Sequence, residues 1–213
     1  MTQPAIAVLD YGIGNLRSAE KALQHVGGRA FLTADPDAVR RADAVVLPGV
    51  GAFGACMDAL RSSGLEPVVR DAVESGRPFL GICVGMQMLF VGSDEDPDAV
   101  GLGVIPGRVR WIPAGVKRPQ MQWNRLHITR PDDPLLIGPD FEGEAAWVYF
   151  VHSLHGVPDD DGVVAATCEY GGTLNAAFRR GNVFATQFHP EKSGRVGLAL
   201  LANFVSEAAG RGR

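Results

Sequence analysis

Cys83 stands between Gly81 and Gly85 in the run Phe79-Leu80-Gly81-Ile82-Cys83-Val84-Gly85-Met86-Gln87-Met88-Leu89-Phe90-Val91. An apolar strand entering Gly-x-Cys-x-Gly, with an apolar helix after it, has the form of a nucleophile elbow carrying a thiol. The glycines fit because a sharp strand-to-helix turn leaves no room for side chains beside the nucleophile. The turn sets the sulfur at a helix N-terminus, where the dipole favours thiolate. Far downstream, Gln187-Phe188-His189-Pro190-Glu191 supplies a base and a carboxylate. A catalytic imidazole needs a third group to hold its tautomer. Glu191 can do so across the stiff Pro190 link. A triad of Cys83, His189 and Glu191 is therefore predicted, with attack on a carbonyl as its chemistry.

Such an attack creates an oxyanion that needs backbone donors. Pro48-Gly49-Val50-Gly51 follows an apolar run and can bring the chain close to a substrate. Gly49, Val50 and Gly51, with the N–H of Val84, are the predicted oxyanion hole. A metal site from Cys83, His189 and Glu191 lacks a fourth ligand and any ligand-pair spacing, so no metal is expected. Asp10-Tyr11-Gly12-Ile13-Gly14-Asn15 holds Gly-x-Gly after a strand, but the third glycine and the later acid of a nucleotide fingerprint are missing. There is no Walker-type loop either, and no cofactor is expected.

These groups must be held by a fold. The 213 residues are 46% hydrophobic and 21% charged, enough for a substantial core and too apolar for wholesale disorder. The net charge of −4, without a long Lys/Arg run, argues against nucleic acid or an anionic membrane surface. Three widely spaced cysteines argue against a disulfide framework. Cys56 and Cys168 lie in apolar surroundings and read as buried packing residues. Met1-Thr2-Gln3-Pro4 has no basic n-region, and no run reaches membrane-spanning length, so a reduced cytoplasm is the expected setting.

Strands are predicted at 5–9, 30–33, 42–47 and 79–82, with helices at 15–26, 53–60 and 67–74. Later strands are predicted at 108–112, 125–129, 146–151, 163–169, 174–180 and 183–188, with a tight hairpin at 180–182. A closing helix is expected from Ser193, as N-cap, burying Val196, Leu200 and Phe204. Residues 93–99 read as a surface loop. The fold class is α/β: an open, mostly parallel, doubly wound sheet with helices on both faces and additional antiparallel strands. One domain over 1–213 is expected, with an ordered core of about 4–208. The predicted strand ends deliver Asp10, Gly49, Cys83 and His189 toward one crevice, where ligands of open α/β sheets bind.

Taken together, the segments resemble the class I (triad-type) glutamine amidotransferases. Those that carry the likeness are Asp10-Tyr11-Gly12-x-Gly14-Asn15, Leu47-Pro48-Gly49-Val50-Gly51-Ala52-Phe53, Gly81-Ile82-Cys83-Val84-Gly85-Met86-Gln87, Trp123-Asn124, Tyr149-Phe150-Val151-His152-Ser153 and Gln187 to Ser193. More narrowly, they are similar to the glutaminase subunits of imidazole glycerol phosphate synthases. The resemblance implies glutamine hydrolysis through a γ-glutamyl thioester on Cys83, with Gln87, His152 and Ser153 contacting glutamine. It also implies a partner, a (β/α)8-barrel cyclase subunit that takes up the ammonia in histidine biosynthesis, with Asn15, Met121 and Trp123 near the interface. This fits a chain with no evident acceptor site of its own. Gln122 stands where the family usually has glycine, and Leu154 where it often has an aromatic residue. The alternatives are another ammonia-transferring synthase's glutaminase, a cysteine-type α/β-hydrolase and a catalytically silent regulatory subunit.

Overall fold

The computed structural model describes residues 3–210. Its first half runs β1 (Ala5–Leu9), α1 (Leu16–His25), β2 (Arg29–Thr33), α2 (Pro36–Arg41), β3 (Ala44–Gly49), α3 (Phe53–Ser62), α4 (Glu66–Glu74), β4 (Phe79–Cys83) and the single turn α5 (Val84–Gln87). Short strands follow: β5 (Gly92–Ser93), β6 (Gly107–Trp111), β7 (Gln120–Arg125), β8 (His127–Ile128), β9 (Trp147–His152) and β10 (Leu154–Pro158). Then come β11 (Val164–Glu169), β12 (Thr173–Arg180), β13 (Val183–Thr186) and α6 (Gly194–Gly210).

Every residue of β1, β3 and β4 is buried, as expected of central parallel strands covered on both faces. The main sheet has eight strands in the order β2-β1-β3-β4-β13-β12-β11-β8. Neighbours from β2 to β13 are parallel, and those beyond are antiparallel. The order reverses after β2. With right-handed crossovers, that reversal sends α1 to one face and α2 to the other. The α/β architecture thus matches the sequence expectation. Two small sheets, β10-β6-β5 and β7-β9, sit beside it.

Several elements differ from the sequence reading. The helix α2 was not anticipated, although Asp35 caps it by accepting from the Asp37 N–H at 2.9 Å and Pro36 opens it. The strand expected at 125–129 is instead β7 and β8, and β7 begins five residues earlier, at Gln120. The strand expected at 42–47 shifts to Ala44–Gly49 because Pro48 and Gly49 stay in register with Ile82 and Cys83. The helix after Cys83 lasts only one turn. The segment expected as a loop from 93 opens with Ser93 in β5, and β10 was not foreseen. Ser193 does precede α6, but its hydroxyl donates to the His189 carbonyl at 2.6 Å and accepts from the Tyr149 N–H at 3.0 Å. Val196, Leu200 and Phe204 are buried on α6 as expected.

Candidate active site

The parallel strands bring their carboxyl ends to one edge. Gly49 pairs with Cys83, and Thr186 with Ile82, so β3, β4 and β13 end side by side. Residues just beyond β13 turn back and carry His189 into a short 3-10 turn at Pro190–Lys192. Cys83 has φ +54° and ψ −113°, and among the described residues it is the sole non-glycine with positive φ. This is the strained backbone of an elbow. A Cβ on Gly85 would lie 1.9 Å from the Leu47 carbonyl oxygen, and one on Gly49 would lie 2.5 Å from the Gly85 nitrogen. Both glycines are therefore required by close backbone approach.

His189 and Cys83 line the same cavity. The His189 Nδ1–H donates to Glu191 Oε1 at 2.8 Å, with both side chains nearly fully buried. Burial pulls the imidazole down. Hydrogen bonds and charge from Cys83 and Glu191 outweigh it and push His189 up to about 10. An imidazolium beside a sulfur, held by a carboxylate, is the arrangement that a thiol nucleophile and its proton carrier require.

A cavity of about 260 Å³ opens above the sulfur. It is lined by Val50, Gly51, Cys83, Val84, Gln87, Glu95, Pro119, Val151, His152, Ser153, Leu154 and His189. That is below the roughly 300–1,000 Å³ of sites for drug-sized ligands and suits an amino acid. A larger hollow of about 510 Å³ lies at Arg179 on the far antiparallel strands. Its guanidinium is already paired, to Asp133 at 2.8 Å and Glu207 at 3.2 Å, so the hollow holds a structural clasp.

Of the residues singled out in the sequence, Cys83, His189, Val50, Gly51, Val84, Gln87, His152 and Ser153 all line the cavity. Glu191 stands behind His189, and Gly49 lies buried beneath the strip. Gln87 is buried, and its amide donates to Gln187 Oε1 at 3.0 Å and to the Leu154 carbonyl at 3.4 Å. Gln187 in turn donates to Cys83 Sγ at 3.8 Å. The His152 Nδ1–H donates to the Leu154 carbonyl at 2.7 Å, and burial drives His152 down to about 4, so it is neutral near pH 7.

Met121 and Trp123 are 62% and 49% exposed on β7, away from the cavity. The Asn15 amide donates to Glu191 Oε1 at 3.4 Å. Sequence reasoning missed Glu95, which it left in a surface loop. Glu95 accepts from the Phe53 N–H at 2.9 Å and so enters the cavity wall. The acid run Asp94-Glu95-Asp96 gave no signal to separate it from its neighbours. Among the described residues, no cluster of three or more His, Cys, Asp or Glu could hold a metal ion, and no helix is long and apolar enough to cross a membrane.

Known proteins resemble the chain along nearly its whole length. Residues 7–208 match the family described as glutamine amidotransferase class-I. The chain is 53% identical over 207 residues to "Imidazole glycerol phosphate synthase subunit HisH" of Syntrophotalea carbinolica, covering 93% of this chain and 98% of that protein. It is 50% identical over 209 residues to the protein of that name from Synechococcus sp. (strain JA-3-3Ab), covering 97% and 95%. Among solved structures, one titled "Crystal structure of glutamine amidotransferase" matches with a TM-score of 0.73 at 25% identity, covering 96% of this chain and 98% of that one. "Structure of PurLQS from Thermotoga maritima" matches with a TM-score of 0.76 at 22% identity over the whole of both chains, a likeness of fold.

Proposed function

From the premise that this chain belongs to the class I glutamine amidotransferases, we propose that it is the glutaminase subunit of an imidazole glycerol phosphate synthase. The observation that carries the chemistry is Cys83, on a strained elbow, lining one cavity with an imidazole held by Glu191. Cys83 attacks the side-chain amide carbon of glutamine. The oxyanion is received by the N–H of Val50, with help from the strip through Gly49 and Gly51, and by the N–H of Val84 at the start of α5. His189 gives its proton to the departing ammonia, and the γ-glutamyl thioester remains. Water, deprotonated by His189, then releases glutamate. Glu95, the one carboxylate among the residues lining the cavity, suits the α-ammonium. Gln87, His152 and Ser153 frame the rest of the substrate.

Ammonia is mostly protonated in neutral water and is then no nucleophile, so its transfer calls for a dry path to an acceptor. The acceptor belongs to a partner. We assign that partner as a cyclase subunit of (β/α)8-barrel form, which makes imidazole glycerol phosphate in histidine biosynthesis, in the cytoplasm. One amidotransferase domain, over 1–213, serves this role. Support comes from the synthase-subunit names of relatives at about half identity.

The test is glutamate release by the purified chain with and without the cyclase subunit and its ligand. Strong stimulation by the partner, abolished by Cys83→Ala, is expected. Full glutamine turnover by the chain alone, or turnover that survives Cys83→Ala, overturns the reading.

A further inference from the structure

The strip beyond β3 is exposed from Val50 to Ala52, and Gly51 sits at φ +87°. Short exposed glycine segments have many backbone states, yet an oxyanion donor must point one way. Two side chains from outside the strip act on its carbonyls. The Tyr11 hydroxyl, just past β1, donates to the Pro48 carbonyl at 2.7 Å. The Cys56 thiol, on the first turns of α3, donates to the Val50 carbonyl at 3.2 Å. Helical side chains lean toward the helix N-terminus, which brings Cys56 back over residue 50.

The two bonds flank one peptide group. The Pro48 carbonyl belongs to the Pro48–Gly49 peptide and the Val50 carbonyl to the Val50–Gly51 peptide. Between them lies the Gly49–Val50 peptide, whose N–H is the donor assigned to the oxyanion. We propose that Cys56 and Tyr11 are positioning residues for glutamine hydrolysis, anchoring the peptide planes on either side of that donor. Neither touches the substrate, since neither lines the cavity. Both are suited to a permanent donor role. Burial holds the Cys56 thiol up, and burial followed by the neighbouring Cys56 holds the Tyr11 hydroxyl well above its usual range. The room for Tyr11 comes from Gly49, where a Cβ would stand 3.0 Å from the hydroxyl oxygen. Cys56 thus does more than fill space, the role its apolar surroundings in the sequence predict.

This inference rests on the reading of Cys83 as nucleophile and of the strip as oxyanion hole. Its test uses the full chain with the cyclase subunit, and compares Cys56→Ala, Cys56→Ser and Tyr11→Phe with wild type. An oxyanion contact exists mainly in the transition state, so Cys56→Ala and Tyr11→Phe are each expected to lower kcat about tenfold and to leave KM for glutamine within about twofold. Glutamate γ-semialdehyde, which adds to the thiol and places an oxyanion in the hole, is expected to bind more weakly by the same factor. Cys56→Ser keeps a donor and is expected to recover most of the loss.

Unchanged kcat in Cys56→Ala overturns the Cys56 anchor. So does a serine variant as impaired as the alanine one at equal thermal stability. If Cys56→Ala does not fold, Cys56→Ser and Tyr11→Phe still decide: wild-type aldehyde affinity in Tyr11→Phe, or lost affinity in a folded Cys56→Ser, overturns the proposal. Glutaminase activity that survives Cys83→Ala overturns the underlying site instead.

Discussion

Cys83 and Glu191 push His189 well above the ordinary histidine range, and this fixes the direction of its pH dependence. Burial opposes the charge on the imidazole, while Cys83 and Glu191 favour it and prevail, with the result near 10. The protonated ring is the form that can hand a proton to leaving ammonia. Rate is therefore kept as pH rises through the ordinary histidine range and is lost only as His189 gives up its proton at about 10. Glu191→Gln replaces an anion by a neutral amide, so the protonated ring loses one of its two supports. The alkaline limb of kcat/KM for glutamine is expected to move to lower pH, with the plateau reduced by about 10²–10⁴-fold. A pH–rate profile of wild type and variant checks this. A limb that stays in place after Glu191→Gln would mean that the carboxylate does not hold the proton. Asn15 donates to the same carboxylate oxygen, which adds an outside contact to the carboxylate that orients the base.

At the scale of the element, the elbow trades backbone comfort for position. Cys83 holds φ +54° because β4 must stop and α5 must start at one residue, with Gly85 against the Leu47 carbonyl and Gly49 against the Gly85 nitrogen. A β-carbon at position 83 carries the strain whatever lies beyond it. Cys83→Ala keeps that strain and Cys83→Gly removes it. The glycine variant is expected to be about 1 kcal/mol more stable than the alanine variant, although glycine also frees the unfolded chain, and both are expected to be inactive. Urea unfolding of the pair measures it, and a glycine variant less stable than the alanine variant, the result unfolded-state freedom alone would give, would show an unstrained turn. The elbow was legible in the sequence because its demands are local: small residues beside the nucleophile, an apolar strand before it. The buried strands were legible for the same reason, as unbroken apolar runs. Glu95 was not, because its place is set by a hydrogen bond to Phe53, forty-two residues away in the chain. The start of β7 was hidden too, since Gln120-Met121-Gln122 shows no outward mark of a strand until it pairs with β9. The roles of Cys56 and Ser193 were missed because the chemistry of their side chains depends on carbonyls and amides brought in by the fold.

At the scale of the whole molecule, the ribbon β7–β9 joins the catalytic pocket to an exposed aromatic face. Its register sets Met121 opposite Val151, Trp123 opposite Tyr149 and Arg125 opposite Trp147, so these residues share one side of the ribbon. Met121, Trp123 and Trp147 are all exposed, and Trp123 packs edge-on to Tyr149 with ring centroids 6.2 Å apart. Exposed tryptophan and methionine are the residue types enriched in interface cores, and we propose this face as the seat of the partner. The same ribbon frames the triad. The His189 N–H donates to the Tyr149 carbonyl at 3.1 Å, and the Tyr149 N–H donates to Ser193, whose hydroxyl donates back to the His189 carbonyl. A partner seated on this face therefore bears on the strand that holds the proton carrier. Trp123→Ala truncates the centre of the face without opening the core. It is expected to weaken association with the cyclase subunit by about 2 kcal/mol, roughly thirtyfold in Kd, and to leave the melting temperature of the isolated chain unchanged. Calorimetric titration measures the affinity, and glutamate release at fixed partner concentration measures the consequence. At saturating partner, the stimulation is expected to return if Trp123 serves affinity, and to stay low if its ring also transmits the partner's presence to Tyr149. Unaltered affinity would place the partner on another face and break the link between docking and the triad.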